Sequence, residues 1–474
     1  MSEQPLVLHI FTHDMRLSDN SSLFHAAKTG RVWPIFIDDH ADDPYPVGGA
    51  SRWWLYQSLR DLHTRLDGGL SIFTGSMLEV VSDLIARFPI QGVFWNHRYD
   101  AYHRRQADSV TELLRQKGIA ARSFNGSLLW EPWSVRKDDG TPYKVFTPFY
   151  RKGCLKGPTQ SRCVESAPSD LHTVPCETLD PGVPLDKAGI LPSGDWHQKF
   201  EPLWQVGEQA AQTQLQRFLD DGLSDYKKGR DFPAKRHVSM LSPYLRHGNI
   251  SASQVHEAIG QMPPDVNTDH FCSELGWREF SYYLLYHFQD LPCANLQKKF
   301  DRFPWSTNDA DLRAWQQGQT GIPIVDAGMR QLWQTGYMHN RLRMIVGSFL
   351  VKNLGHHWVE GEKWFRHCLV DHDLASNSAS WQWVAGCGTD AAPYFRIFNP
   401  VTQGQRFDPT GEFTRKYVPE LQHLPDDFLF NPWDAPVLVL QVAEVGLGTN
   451  YPRPIVDLKQ SREQALEKFK RLSS

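Results

Sequence analysis

The chain has 474 residues, and its seven cysteines (Cys154, Cys163, Cys176, Cys272, Cys293, Cys368 and Cys387) include no C-x-x-C pair. A disulfide framework or a thiolate zinc site needs paired spacing, so free thiols in a reducing compartment are expected instead. No apolar run reaches the roughly 20 residues of a membrane span. The start M-S-E-Q-P is acidic and polar, so no secretory signal is expected and the reading is cytoplasmic. No charge of one sign dominates: the net charge is −4. That excludes a globally basic nucleic-acid coat but leaves room for one basic face, because phosphate binding needs only local charge. G-x-G-x-x-G is missing after the first strand, where T-H-D-M-R-L-S-D-N stands, so the first domain lacks a dinucleotide fingerprint. His356, His357, His367 and His372 come without H-E-x-x-H or paired thiols, so no metal is expected. No internal repeat or low-complexity tract is found.

What is present suggests two domains. Residues 1–130 alternate short apolar runs (6–11, 31–37, 70–73, 92–96, 119–124) with amphipathic stretches, the first capped by Asp19-Asn20. This pattern predicts an α/β fold: a doubly wound parallel sheet with ligands at the carboxyl ends of its strands. Residues 131–200 are rich in proline and weakly periodic, a long inter-domain connection draped over the surface. Its start, T-P-Y-K-V-F-T-P-F-Y, is aromatic and predicted to dock. Residues 201–474 read as all-helical. Met338, Leu342, Ile345 and Phe349 make one apolar stripe that leaves Asn340, Arg341, Arg343 and Met344 off it. A last helix is predicted from Ser461, capped S-R-E-Q.

Four stretches hold more polar chemistry than packing requires. D-H-D-L-A-S-N-S-A-S-W-Q-W (371–383) concentrates Asp371, Asp373, Asn377, Trp381 and Trp383. Buried polar groups left unpaired cost roughly 1–3 kcal/mol each, so this density implies a ligand or an ion-pair network, and a flat, nitrogen-rich cofactor fits best. The 226–248 stretch sets Lys227, Lys228, Arg230, Lys235, Arg236 and Arg246 against Asp231 alone, and its Ser239 and Ser242 flank a helix entry suited to phosphate. S-E-L-G-W-R-E-F (273–280) puts Glu274, Trp277 and Arg278 within about one turn. The 338–344 stretch is the fourth.

Taken together, S-E-L-G-W-R-E-F, G-I-P-I-V-D-A-G-M-R-Q-L, M-H-N-R-L-R-M and D-L-A-S-N-x-x-x-W-Q-W followed by P-Y-F-R-I-F-N-P closely resemble the DNA photolyase–cryptochrome family. Their order and spacing match its bacterial cyclobutane pyrimidine dimer photolyases. R-L-S-D-N near the start and V-F-T-P-F in the connection extend the resemblance end to end. It implies light-dependent repair of pyrimidine dimers in DNA by a monomer without an obligate protein partner. The helical domain would hold FAD through Tyr226, Val238, Ser239, Met240, Leu241, Ser242, Phe271, Arg278, Tyr337, Arg343, Asp371, Asp373 and Asn377. Asn377 matches the side chain beside flavin N5, where its amide could turn either its oxygen or its NH2 group toward that atom. The dimer pocket would be Glu274, Trp277, Asn340, Arg341, Met344 and Trp383. Arg278, Arg341 and Gln403, with the basic residues of 226–246, would meet DNA. Trp381, Trp358 and Trp305 would carry electrons from the surface.

Departures from the family pattern are Val238 for a threonine, Phe271 for a tryptophan and Thr12 for an arginine. Tyr102-His103 replaces the Asn-Glu pair of a folate antenna site. The second chromophore therefore stays open: folate is favoured over a deazaflavin, a second flavin or none. Two other activities on the same framework are a cryptochrome-type blue-light photoreceptor and (6-4) photoproduct repair. The full dimer pocket and the lack of a long extension past the last helix weigh against the first. The single histidine before Asn340, where the second would need a pair, weighs against it.

Overall fold

Five short apolar runs pair into one parallel sheet in the computed structural model, which describes residues 4–39, 41–394 and 396–473. The elements are β1 (Leu6–Phe11), α1 (Ser21–Thr29), β2 (Arg31–Asp38), α2 (Gly49–Arg65), β3 (Ser71–Thr74), α3 (Met77–Arg87), β4 (Ile90–Asn96), α4 (Ala101–Lys117) and β5 (Ala120–Phe124). The strand order is β3-β2-β1-β4-β5, with Ile10 level with Ile35 on one side and Trp95 on the other. Side chains alternate between faces along each strand. Val7, Phe11, Val32 and Phe36 pack with Leu23 of α1 and Leu59 of α2. Leu8, Ile10, Trp33 and Ile35 pack with Val81 and Leu84 of α3 and Leu114 of α4. Both faces are covered, which is why β1 reads as an apolar run interrupted only by the buried His9. The expected doubly wound sheet is therefore present, its helix starts marked by side-chain caps at Asn20, Ser76 and Asp100.

Contacts divide the chain into two units. Unit 1 is Met1–Ser224, Ser239–Gln289 and Val370–Ala375; unit 2 is Asp225–Val238, Asp290–Leu369 and Ser376–Ser474. In unit 1 the polar stretch after β1 is buried because it satisfies itself. Asp14 accepts from the Thr12 N–H and from the Asn20 and Asn96 amides. Arg16 donates to the carbonyls of Asp19, Gly126 and Gly248. Apart from the helical turns at 146–154, residues 131–200 are largely irregular and exposed or half-buried, with buried anchors at Phe146, Phe149, Tyr150, Ile190 and Phe200. The unit's further helices are α5 (Glu208–Arg217), α6 (Ser242–His247), α7 (Ala252–Gly260) and α8 (Val266–His287).

Unit 2 is helical, and among the described residues after 200 no strand forms. Its longer helices are α9 (Asp309–Gln317), α10 (Pro323–Thr335), α11 (Asn340–Ser348), α12 (Trp358–Cys368), α13 (Leu374–Ala385, whose first two residues count with unit 1), α14 (Pro400–Phe407) and α15 (Leu458–Ser473). Met338, Leu342, Ile345 and Phe349 are fully buried with Trp315, Trp358 and Phe365, so the predicted stripe is the core face of α11. The last helix corrects the sequence reading. It starts a turn before Ser461, and Asp457 supplies the cap by accepting the Gln460 N–H at 2.7 Å. Ser461 lies inside the helix and accepts from the Asn353 amide at 2.9 Å. Aspartate and serine cap about equally well, and tertiary packing decided between them.

Candidate functional site

In unit 1, α8 carries three of the expected residues on one face. Trp277 stacks on Phe146 with ring centroids 3.8 Å apart and planes 13° from parallel, so the aromatic start of the connection docks as predicted. Glu274, one turn earlier, lies 3.7 Å from the His270 imidazole. Arg278 is half-buried: its Nη1 donates to the Ser127 carbonyl and to Glu279, both at 3.0 Å. Burial lifts the Glu279 carboxyl to about 7 against the pull of Arg278 and of the Trp130 and Leu129 N–H groups. Phe271 is buried on the same helix against Phe218.

The 239–242 stretch leads into α6. Met240 adopts a left-handed backbone (φ 54°), a conformation that is uncommon for a residue with a side chain. Leu241 is buried, the Ser239 carbonyl accepts from Gln214 at 2.8 Å, and the Ser242 hydroxyl donates to Asp371 at 2.6 Å. Asp373 accepts the Tyr282 hydroxyl at 2.5 Å. Arg246 is a correction. The sequence placed it among phosphate-facing cations, but it is buried, with its Nε donating to the His372 carbonyl at 2.5 Å. A basic run in sequence does not show which members turn inward.

In unit 2, Asn377 and Trp381 lie four apart on α13. The Asn377 NH2 group donates to the Glu362 carboxylate at 3.0 Å and to its carbonyl at 3.3 Å. Glu362 is fully buried and paired with Arg366 at 2.6 Å. A carboxylate only accepts, so it fixes the amide with its NH2 inward and its oxygen turned away. Glu362 was missed in the sequence, although the E-x-x-x-R spacing of 362 and 366 hinted at a helical ion pair. Trp381 is buried against Gly361 of α12, where an added Cβ would stand 2.1 Å from its ring, and 5.0 Å from Phe365. Trp358, also on α12, is fully buried, and its indole N–H donates to Asn295 at 2.8 Å. The His357 ring lies 5.5 Å from Trp358 and 4.9 Å from the partly exposed Trp305.

On α11, Asn340 is exposed while Arg341, Arg343 and Met344 are half-buried, all off the apolar stripe as predicted. Arg341 donates to Asp231 at 2.6 Å and its guanidinium lies 4.2 Å from the Phe407 ring centroid. Gln403 sits one turn before Phe407 on α14, so this helix and Arg341 come together. Arg343 donates to the Met338 carbonyl at 2.8 Å and covers the Tyr337 ring. Tyr226 is buried, Val238 is half-buried, and Trp383 packs part-buried against the helical core.

Unit 1 also holds a cavity of about 70 Å³ at the carboxyl ends of β1, β2 and β4, lined by Ile10, Phe36, Ile37, Trp95, Arg52 and His103 among others. Between β1 and β4 the chain order reverses, the point where open α/β sheets take ligands. Asp38 pairs with Arg52 at 2.9 Å. His103 stands between Asp39 at 2.9 Å and Asp100 at 2.7 Å. Burial and Arg98 oppose its protonation, but the two carboxylates outweigh them and raise its pKa.

Two family models match: DNA photolyase over residues 7–168 and the FAD binding domain of DNA photolyase over residues 271–471. The chain is 43% identical to the deoxyribodipyrimidine photo-lyase of Agrobacterium fabrum, over 97% of this chain and 96% of the relative. The chain belongs to the DNA photolyase–cryptochrome family. Within it, cryptochrome-2 of Arabidopsis thaliana is 35% identical over 96% of this chain and 77% of its own length. A bacterial class III photolyase from Agrobacterium tumefaciens superposes with a TM-score of 0.94 at 41% identity, covering 100% of this chain and 98% of that one. An archaeal photolyase from Sulfolobus tokodaii, solved with two FAD molecules, gives 0.83 at 27% identity over 98% and 100%. The family and fold expected from sequence are confirmed, and an enzyme of photo-lyase type agrees with these relatives. No helix among the described residues is long and apolar enough to cross a membrane.

Proposed function

We propose that this chain repairs cyclobutane pyrimidine dimers in DNA, using light and bound FAD. The observation that carries the reading is α8, where the docked Phe146 fixes the Trp277 ring with Glu274 and Arg278 on the same helical face. The residues present suit FAD chemically. Asp371 and Asp373 can accept from hydroxyl or amino groups, Ser239 offers a hydroxyl to phosphate while the Ser242 hydroxyl is given to Asp371, and the Asn377 oxygen is set as an acceptor for a ring N–H. When bound and reduced, FAD supplies on illumination the electron that opens the dimer's cyclobutane ring, and receives it back.

The protein's own part is to bind, orient and exclude water. A dimer is already poorly stacked, so turning it out of the duplex costs less than flipping a normal pair. Trp277 and Trp383 wall the fused rings, Glu274 and Asn340 hydrogen-bond the base edges, and Met344 fills the remaining gap. Arg341, Gln403 and Arg278 meet the phosphates, which makes binding salt-sensitive despite the net negative charge. Trp381, Trp358 and Trp305 form the electron entry path. The division of labour we attach is an antenna domain at 1–130, a connection at 131–200 and a catalytic FAD domain at 201–474. The strand-end cavity takes the second chromophore. With His103 committed to Asp39 and Asp100, it offers a flat ring apolar walls and few free charges, and folate, deazaflavin and flavin remain the candidates. The enzyme acts as a cytoplasmic monomer.

The test is incubation of reduced protein with a dimer-containing oligonucleotide in light and in darkness. Dimer loss in the lit sample alone is the expected result. No loss in either moves the reading to a photoreceptor, which the 35% identity to a plant cryptochrome supports. Absorption beyond the flavin bands reports the second chromophore in the same sample.

A further inference from the structure

Residues 370–373 form an irregular turn ahead of α13, yet they carry Asp371 and Asp373. Within unit 1 this turn is held from three helices: Ser51 of α2 donates to the Val370 carbonyl at 3.2 Å, Tyr282 of α8 donates to Asp373, and α6 supplies the largest set. Ser242, at the start of α6, bonds the Asp371 carboxylate; Arg246, one turn on, bonds the His372 carbonyl; His247 donates to the Val370 carbonyl at 3.1 Å. Ser242 and Arg246, four apart, share one helical face, and His247 follows about 100° round the axis. Arg246 is the far anchor of the set. Its Nε reaches His372, while its Nη1 lies 2.8 and 2.9 Å from the ring nitrogens of His13. Burial first, then the Arg246 charge, push the His13 pKa well below its ordinary value, which keeps that ring neutral and able to accept. Arg246 also stands in the walls of both the strand-end cavity and the smaller cavity beside His372 and Asp373.

We propose that Arg246 is a positioning residue for the flavin: its two-way grip on His13 and the His372 carbonyl holds the 370–373 turn so that Asp371 and Asp373 face FAD. The proposal rests on the flavin reading above. It uses the geometry of arginine, whose planar fork sends two N–H donors in different directions, where a lysine has one point charge. Nothing in the sequence singled Arg246 out from its neighbouring cations.

The experiment measures FAD affinity and apoprotein melting temperature together. Uptake of FAD by wild-type apoprotein is recorded first; its absence would overturn the flavin reading itself, independently of Arg246. In Arg246→Lys, FAD binding is expected to weaken about ten-fold, the size of a lost charge-assisted hydrogen bond. The bound flavin's visible band should broaden, while the apoprotein melts close to wild type. Arg162→Lys, which touches the buried Asp19 instead, should lower the melting temperature and leave FAD affinity alone. If Arg246→Lys yields no folded protein, His13→Leu removes the other end of the grip and should weaken FAD binding in the same direction. FAD affinity within about two-fold of wild type in a folded variant, or an equal loss in Arg162→Lys, overturns the proposal.

Discussion

At the strand ends of unit 1, charges are paired within the cavity wall: Arg52 with Asp38, and His103 with Asp39 and Asp100. Around α11 to α13 of unit 2, the polar groups are answered on one side only. Asn377 gives its NH2 group to Glu362, while its oxygen has no protein donor among the described residues; Arg341 meets Asp231 with one arm. The first arrangement pairs its histidine and its arginine with carboxylates of the same wall. The second leaves polar atoms on one side that a ligand can meet. Under the proposed function, the difference assigns selection by shape and apolar contact to the strand-end cavity and selection by directed hydrogen bonds to the helical region.

The strongest way to break this contrast is through the tryptophans. Trp358→Phe is expected to abolish light-driven reduction of bound flavin, followed by absorbance under blue light with an external reductant, while FAD stays bound. Trp305→Phe should do the same more weakly. Wild-type photoreduction in both would make these rings packing residues and the unit 2 arrangement a structural one. Next in size is Glu362→Ala. It removes the ion pair to Arg366 and releases the Asn377 amide, so it should destabilise the fold by about 3–5 kcal/mol, the cost of halving a buried ion pair. Denaturant unfolding measures this. Glu362→Gln, which can give its own NH2 group to the Asn377 oxygen, should let that amide turn and shift the reduction potential of bound flavin. An unchanged potential would mean the amide's orientation does not matter.

The strand-end latch offers a smaller, pH-dependent test. The His103 pKa is raised in the fold, so its contribution is complete below the ordinary histidine value and fades as pH rises through the raised one. The carboxylates act in the opposite sense: Asp39 and Asp100 are lowered, so their share fades only in acid. His103→Gln should therefore cost about 1.5–3 kcal/mol near pH 6, the range for hydrogen bonds to a charged group, and less near pH 9. Melting curves of wild type and variant across that window give the result. A gap independent of pH would show that the latch is not an imidazolium.

Much of this was legible in residue order. β1 and β2 were placed to within a residue because strands buried on both faces cannot avoid apolar runs, and Met338, Leu342, Ile345 and Phe349 revealed the core face of α11 by their spacing. What stayed hidden depends on partners far apart in the chain. Glu362 lies fifteen residues before Asn377, and no local pattern says that its carboxylate fixes the amide. Arg246 and Arg230 look alike in a basic run, yet Arg246 is buried. Ser461 and Asp457 both cap well, and only the packing of Asn353 on Ser461 separates them.

The smallest expected effect bears on the tryptophan side of the contrast. Gly361 is where α12 lets the Trp381 ring approach, and a methyl group there would overlap the ring at 2.1 Å. The backbone at Gly361 is helical, so Gly361→Ala carries no conformational penalty and would otherwise favour the helix. Overpacking therefore dominates, at about 1–3 kcal/mol. The ring cannot stay where it is, because Phe365 and Trp315 hold it on other sides. If the closeness of Trp381 to the helix bearing Trp358 serves electron entry, flavin photoreduction should slow along with the loss of stability. If the contact is packing alone, the melting temperature falls and photoreduction of the folded fraction keeps its wild-type rate.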